Sequence, residues 1–247
     1  MRIHELLVET AEEDRAVMSL ADTIYDYLQQ YADTELDYDE TGVIHIGRIG
    51  DLFDTPIPAV DKIRLAISSD EAIVDLARRL NGRATGADSH LGEWDPAEKA
   101  ISLNADYLSS NRMRTIIAHE LRHAMDDFKS SDRANQSTRY STARNPADRE
   151  DPDTAYRAQP AEINARFIEA LHFISPIIPK LANLDTAAFR TKMTAYLNRA
   201  FEVKQIADIY PEKTDSPHYR RLLQRAWDFI NKELAHVKSK SVDTAAE

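Results

Sequence analysis

The stretch "TIIAHELRHAMDDF", residues 115–128, sets two histidines four positions apart with a glutamate directly after the first. On an α-helix such residues lie one above the other on the same face, so His119 and His123 can aim at one ion together. Imidazole nitrogens bind zinc at about 2.0–2.1 Å, which this spacing reaches without distorting the helix. Glu120 sits about 100 degrees further round the helix. It is poorly placed as a third ligand of the pair but well placed to take a proton from a water held beside it. Ile116, Ile117, Leu121, Ala124 and Phe128 give the segment an apolar surface that would bury it. The alternative is a solvated surface helix that carries two imidazoles beside Arg122 and Asp126.

A catalytic zinc takes three protein ligands and keeps one position open. A third histidine six residues after His123 would give the metzincin pattern, but position 129 is lysine and position 126 is aspartate in place of that pattern's glycine. Asp126 and Asp127 lie too close along the same helix to complete a tetrahedron, although either could accept a hydrogen bond from a ligand histidine and fix its tautomer. A carboxylate on a later helix is the better source. "PAEINARFIEALHFI" (160–174) opens with proline at a first-turn position and places Glu162 in that turn. Glu169, seven residues and so almost two full turns on, faces roughly the same way and is the runner-up. Without a metal, Glu162 is simply an acid well placed at a helix amino terminus.

The whole chain narrows the choices further. Its 247 residues are 43% hydrophobic and 30% charged, the balance of an ordinary globular protein. A net charge of −11 repels phosphate backbones and argues against broad nucleic-acid binding, despite the small basic patch "RRLNGR" at 78–83. The absence of cysteine excludes disulfides, thiolate metal sites and cysteine nucleophiles, so a transition-metal site must be built from histidine and carboxylates. No stretch approaches 18 apolar residues and the amino terminus lacks a signal-peptide apolar run. These features predict no membrane segment and a cytoplasmic location, with a route out of the cell that needs no signal sequence, such as packaging into a particle or release by lysis, left open.

Periodicity gives the order of elements. Val17, Leu20, Ile24 and Leu28 recur at helical spacing over 11–31, and the acidic segment 32–40 that follows reads as a loop with at most loose calcium binding. "VIHIGRIGDLF" (43–53) and "DKIRLAISS" (61–69) alternate as strands, and "DEAIVDLARRLNG" (70–82) reads as a helix capped by Ser69 or Asp70. "LGEW" and "AISLN" form a hairpin around "DPAEK". The histidine helix starts near Asn111, and a long polar loop covers 129–155. Helices follow at 160–174, after an Asp185 cap, and after a Ser216–Pro217 start. Strands followed by runs of helices predict an α+β fold. The expected parts are an amino-terminal helix and acidic loop (1–40), a domain carrying the histidine helix (41–175) and a helical extension (176–247).

"IIAHELRHAMDD", preceded by a hairpin ending in "ISLN" and followed by "PAEINAR", resembles zincin-like metallopeptidases of the gluzincin type. It is similar in particular to small metallopeptidases encoded by phages and bacterial mobile elements. The resemblance covers roughly residues 90–170. It implies a zincin-like fold, a small mixed sheet with the histidine helix and a helical carboxy-terminal part, in which an edge strand borders the substrate cleft. It also implies Zn2+ held by His119, His123 and Glu162, with Glu120 as the catalytic base. Two departures stand out: Arg166 occupies the position four after Glu162 where gluzincins often have aspartate, and a charged Arg122 sits inside the motif, where a solvent-facing position would accommodate it.

The implied chemistry is zinc-dependent hydrolysis of a peptide or protein substrate by water, with Glu120 moving the proton. Tyr156 and Tyr140 are the candidates to stabilise the oxyanion, and "ISLN" is the candidate strand for pairing with an extended substrate. The competing functions are a non-catalytic phage-particle or interaction protein that retains the fold, and hydrolysis of a non-peptide substrate such as a cell-wall amide.

Overall fold

The computed structural model describes residues 11–55, 57–81, 91–131, 160–210 and 216–243. The fold is α+β, with a small mixed four-stranded sheet and many helices. The chain divides into two compact units, Ala16–Tyr140 and Met1–Arg15 with Ser141–Glu247.

The first unit contains the sheet. Its strands are β1 (Val43–Arg48), β2 (Arg64–Ser68), β3 (Gly92–Asp95) and β4 (Ala100–Asn104), in the spatial order β1-β2-β4-β3. β1 runs antiparallel to β2, β2 parallel to β4, and β3 antiparallel to β4. Parallel strands need a crossover rather than a tight turn, and a helix (Asp70–Asn81) begins directly after β2. Ser69 caps that helix, its Oγ accepting from the Ala72 N–H at 3.3 Å.

Alternation along β4 decides what each face meets. Trp94 pairs with Ile101 and Gly92 with Leu103, so these four share a face. On that face Trp94 packs against Phe128 of the helix Arg112–Ser131, with ring centroids 6.1 Å apart. On the opposite face Asn104 donates from Nδ2 to Asp70 of the 70–81 helix at 2.8 Å, and Arg79 of that helix lies 3.4 Å from Asp95. The sheet is therefore covered by a helix on each side, which is why β2 and β4 are buried along nearly their whole lengths.

Two expectations about strands need correction. The first strand does not continue to residue 53: it ends at Arg48, and Ile49–Leu52 form a short helix. Glycines at 47 and 50 explain the break. The register shifts between His45 and Gly47, and a Cβ at Gly50 would meet the Asp61 backbone at 2.9 Å. The second concerns "ISLN". β4 is hydrogen-bonded on both sides, to β2 and β3, so it has no edge to offer a peptide; the edges of the described sheet are β1 and β3, and β3 is the one beside β4 and the histidine helix.

The amino-terminal helix, Ala11–Leu28, buries Val17, Leu20, Ile24 and Leu28 as its spacing requires. Arg114 of the histidine helix bonds Asp22 and Asp26, and its guanidinium lies 4.4 Å from the centre of the Tyr25 ring. The acidic segment after it ends in a turn organised by Asp39, whose Oδ1 accepts from Thr41 N (2.8 Å), Thr41 Oγ1 (2.6 Å) and Val43 N (3.1 Å). These bonds, the Thr41 hydroxyl first, hold its carboxyl below the usual aspartate range.

The second unit is helical: Pro160–Ile174, Ile178–Leu181, Thr186–Val203, Ile206–Ile209 and Pro217–Asp243. Asp185 accepts from the Ala188 N–H at 2.9 Å and Ser216 from Tyr219 N–H at 3.3 Å, as their cap positions require. Phe167, Phe201 and Tyr219 stack edge to face through the core. Arg225 lies 4.5 Å from the Phe167 ring and forks onto Asp14, which is fully buried. Among the described residues no helix is long and apolar enough to cross a membrane.

The Asp14–Arg225 pair generates a stability prediction. Asp14→Ala leaves a guanidinium buried without its carboxylate and should cost about 3–5 kcal/mol. Combining Asp14→Leu with Arg225→Met removes both charges and should recover most of that loss. Urea unfolding of the single and double variants checks both.

Candidate metal centre

The helix Arg112–Ser131 is enclosed almost all round in its middle turns. Ile117, Ala118, Leu121, Ala124 and Met125 are at most 1% exposed, and Glu120 and Asp126 are buried as well. His119 and His123 form the more accessible side of this stretch and are only partly buried. The helix is thus neither a solvated surface helix nor apolar throughout, and its one accessible stripe carries the two imidazoles.

The two rings converge. Their Nε2 atoms are 2.9 Å apart, and the ring centroids are separated by 4.6 Å at an interplanar angle of 76°. Two nitrogens bound to one tetrahedral zinc would lie about 3.3 Å apart, so a small opening of the rings is enough to admit an ion.

Among the described residues one group of three side chains could hold a metal ion: His119, His123 and Glu162. Their ligand atoms all lie within 4.8 Å of one another. Two imidazoles and a carboxylate form a donor set suited to a catalytic zinc with an open position, and they fit the group without a cysteine. The expected ligand trio is therefore the trio brought together here, with the identity of the metal left to the chemistry of the donors.

Glu162 is 3% exposed and bonded within its own helix: Arg166 donates from Nε to Oε1 at 2.7 Å. The runner-up, Glu169, accepts from Lys204 Nζ and is not one of the three. Glu120, 6% exposed, is likewise outside the ligand group, and its Cγ lies alongside the edge strand, 3.4 Å from where a Gly92 Cβ would stand. Tyr156 and Tyr140, the expected oxyanion stabilisers, fall outside the described residues. So does most of the expected 129–155 loop.

Arg122 corrects the sequence expectation outright. It does not face solvent: the side chain is wholly buried and donates from Nη2 to Asp126 Oδ1 at 2.6 Å. The helix is sunk so deeply that its third face also meets protein, and a charge there requires a close counter-charge. Asp126 is engaged by that charge. Asp127 is only partly buried, and burial raises its carboxyl pKa while Lys99 opposes the rise.

Two contributors escaped the sequence reading. Arg166 departs from the gluzincin pattern, but Glu at i and Arg at i+4 is also a spacing that signals an ion pair. Gly92 carried a signal too, since an isolated glycine in a strand marks close approach. A Cβ there would meet Ile116 Cγ2 at 2.7 Å, Leu103 Cδ2 at 3.1 Å and Glu120 Cγ at 3.4 Å. The absent side chain is what lets β3 lie directly against the turn that bears Glu120.

Gly92→Ala should therefore push the helix off the edge strand, at a cost of about 1–3 kcal/mol. Adding Ile116→Ala removes the hardest contact and should restore part of the loss, read as the change in thermal midpoint of the two variants. Comparison with family models, with curated proteins and with solved structures finds no match for this chain.

Proposed function

We propose that the chain is a zinc-dependent peptidase of zincin-like construction, in which His119, His123 and Glu162 hold the ion and Glu120 acts as general base. The observation that carries the reading is the gathering of those three ligand atoms within 4.8 Å of one another. The position of Glu120 supports it, buried one residue from His119 and beside the edge strand.

When bound, zinc would polarise the scissile carbonyl and acidify the water that attacks it. The protein's own part is proton traffic and positioning. Glu120 accepts the proton from the attacking water and returns it to the leaving amine, a role that requires a carboxylate within hydrogen-bond reach of the water. Its place between the ligand stripe and β3 suits that role. Burial of the helix restrains the two imidazoles, so the ligands do not have to be ordered at each turnover. The β3 edge opposite β4 would bind an extended peptide through main-chain hydrogen bonds. A substrate held mainly by its backbone fits a protein or peptide better than a small polar molecule.

The purified protein should bind close to one zinc per chain, and His119→Ala or Glu162→Ala should remove most of it. Glu120→Gln should retain the metal while slowing hydrolysis of an unfolded protein substrate by about 100- to 10,000-fold. Metal analysis beside a proteolysis assay distinguishes the outcomes. Zinc content unchanged in His119→Ala would sink the site, whereas zinc bound by the wild type without any hydrolysis would point to a non-catalytic protein that keeps the fold.

A further inference from the structure

Glu162 and Glu169 are seven residues apart on the helix Pro160–Ile174, hence on nearly the same face, and both are buried. Only Glu162 joins the ligand group. The corner at residues 204–205, between the helices Thr186–Val203 and Ile206–Ile209, engages the two acids differently.

Lys204 donates from Nζ to Glu169 Oε2. The Lys204 carbonyl and the Gln205 side chain turn instead to Arg166, whose Nη1 donates to Lys204 O at 3.4 Å and to Gln205 Oε1 at 3.2 Å. Arg166 in turn donates from Nε to Glu162 Oε1 at 2.7 Å. Gln205 achieves this with a left-handed backbone, φ 58° and ψ 16°, which an L residue other than glycine adopts only at a cost. Such strain at a residue whose side chain anchors another points to a positional task.

We infer that Arg166 is a positioning residue for the metal site, held from the 204–205 corner and engaging one oxygen of Glu162 so that this ligand meets the ion through the other. The inference rests on the metal reading given above. The same corner ties Glu169 to Lys204 and so keeps the second acid out of the coordination sphere. An exposed Glu–Arg pair one turn apart contributes only a few tenths of a kcal/mol to a helix, but here the carboxylate is 3% exposed and the guanidinium is fixed at its far end. Freezing the carboxylate's torsion before the ion arrives removes an ordering cost from binding, as partners of metal ligands generally do. The cation beside the ligand acts the other way, by repelling the ion, and a fall in zinc affinity on removing it is the outcome in which positioning is the larger effect.

The test compares wild type, Arg166→Gln and Gln205→Gly by zinc competition against a chromophoric chelator, by thermal midpoint without metal, and by the visible spectrum of the cobalt(II)-loaded protein. Zinc affinity should fall about 10- to 100-fold in Arg166→Gln. Gln205→Gly should lower it by a smaller factor while its metal-free midpoint stays equal or rises, because glycine relieves the left-handed backbone. A purely structural role cannot produce that opposition. The cobalt spectrum should keep intense four-coordinate bands in wild type and weaken in Arg166→Gln as Glu162 turns to bind through both oxygens. If Arg166→Gln does not fold, Gln205→Gly decides. Unchanged or tighter zinc binding in the folded variants overturns the positioning role and leaves the metal site standing. A wild type that binds no zinc overturns both.

Discussion

The rest of the structure depends on one helix being buried on three sides and accessible on the fourth. A helix of twenty residues with His119 and His123 on one stripe and Ile117, Leu121 and Ala124 on another is amphipathic in the ordinary way. Burying Arg122 and Glu120 as well is not ordinary. Each charged group taken from water has to find a counter-charge or a hydrogen-bonding partner nearby. Arg122 finds Asp126 one turn along the same helix, so the compensation travels with the element that needs it. Replacing one member alone would take a close counter-charge from the other, and a buried pair of this kind is a weak source of net stability.

The edge of the sheet answers to the same helix. Trp94 and Phe128 set the spacing near one end of β3, and Gly92 permits a closer approach at the other. The consequence is a strand that converges on the turn holding Glu120 and His119. Among the described residues β3 has one hydrogen-bonded neighbour in the sheet, β4. Unpaired strand edges attract other chains and are usually short or charged, and four residues containing Glu93 and Asp95 meet both conditions. In the proposed enzyme that same feature would limit pairing to a short stretch of substrate backbone.

Much of this was legible in the residues, and what was not had physical reasons. Helical spacing located the helices because Leu20, Ile24 and Leu28 must share a face, and the caps at Asp185 and Ser216 declared themselves through side chains that can do little else there. The His119–His123 pair and a distant Glu162 were legible because ligand chemistry restricts the donors so severely in a chain without cysteine. Strand edges were not: "AISLN" looks the same to periodicity whether it has one neighbour or two, and only the crossover between β2 and β4 places it inside. Depth was equally hidden. Arg122 lies between Leu121 and His123 in a pattern that polar and buried helix faces can share, and its 0% exposure follows from packing rather than from local sequence. The left-handed Gln205 left no trace at all, since glutamine is not a residue that announces positive φ.

Charge balance links the helix to the chemistry proposed for it. Structural zinc sites lend their binding energy to folding, and such folds collapse when the metal is removed. Glu162 already has a cation, Arg166, bonded to its buried carboxylate, and the two imidazoles can meet each other as neutral donor and acceptor. The ligand carboxylate is therefore charge-balanced by a residue of its own helix. Elsewhere the helices are held by a core of aliphatic and aromatic side chains and by pairs such as Asp14–Arg225. For the proposed catalytic ion the relevant features are three ligands already gathered and a neighbouring carboxylate, Glu120, that is not one of them.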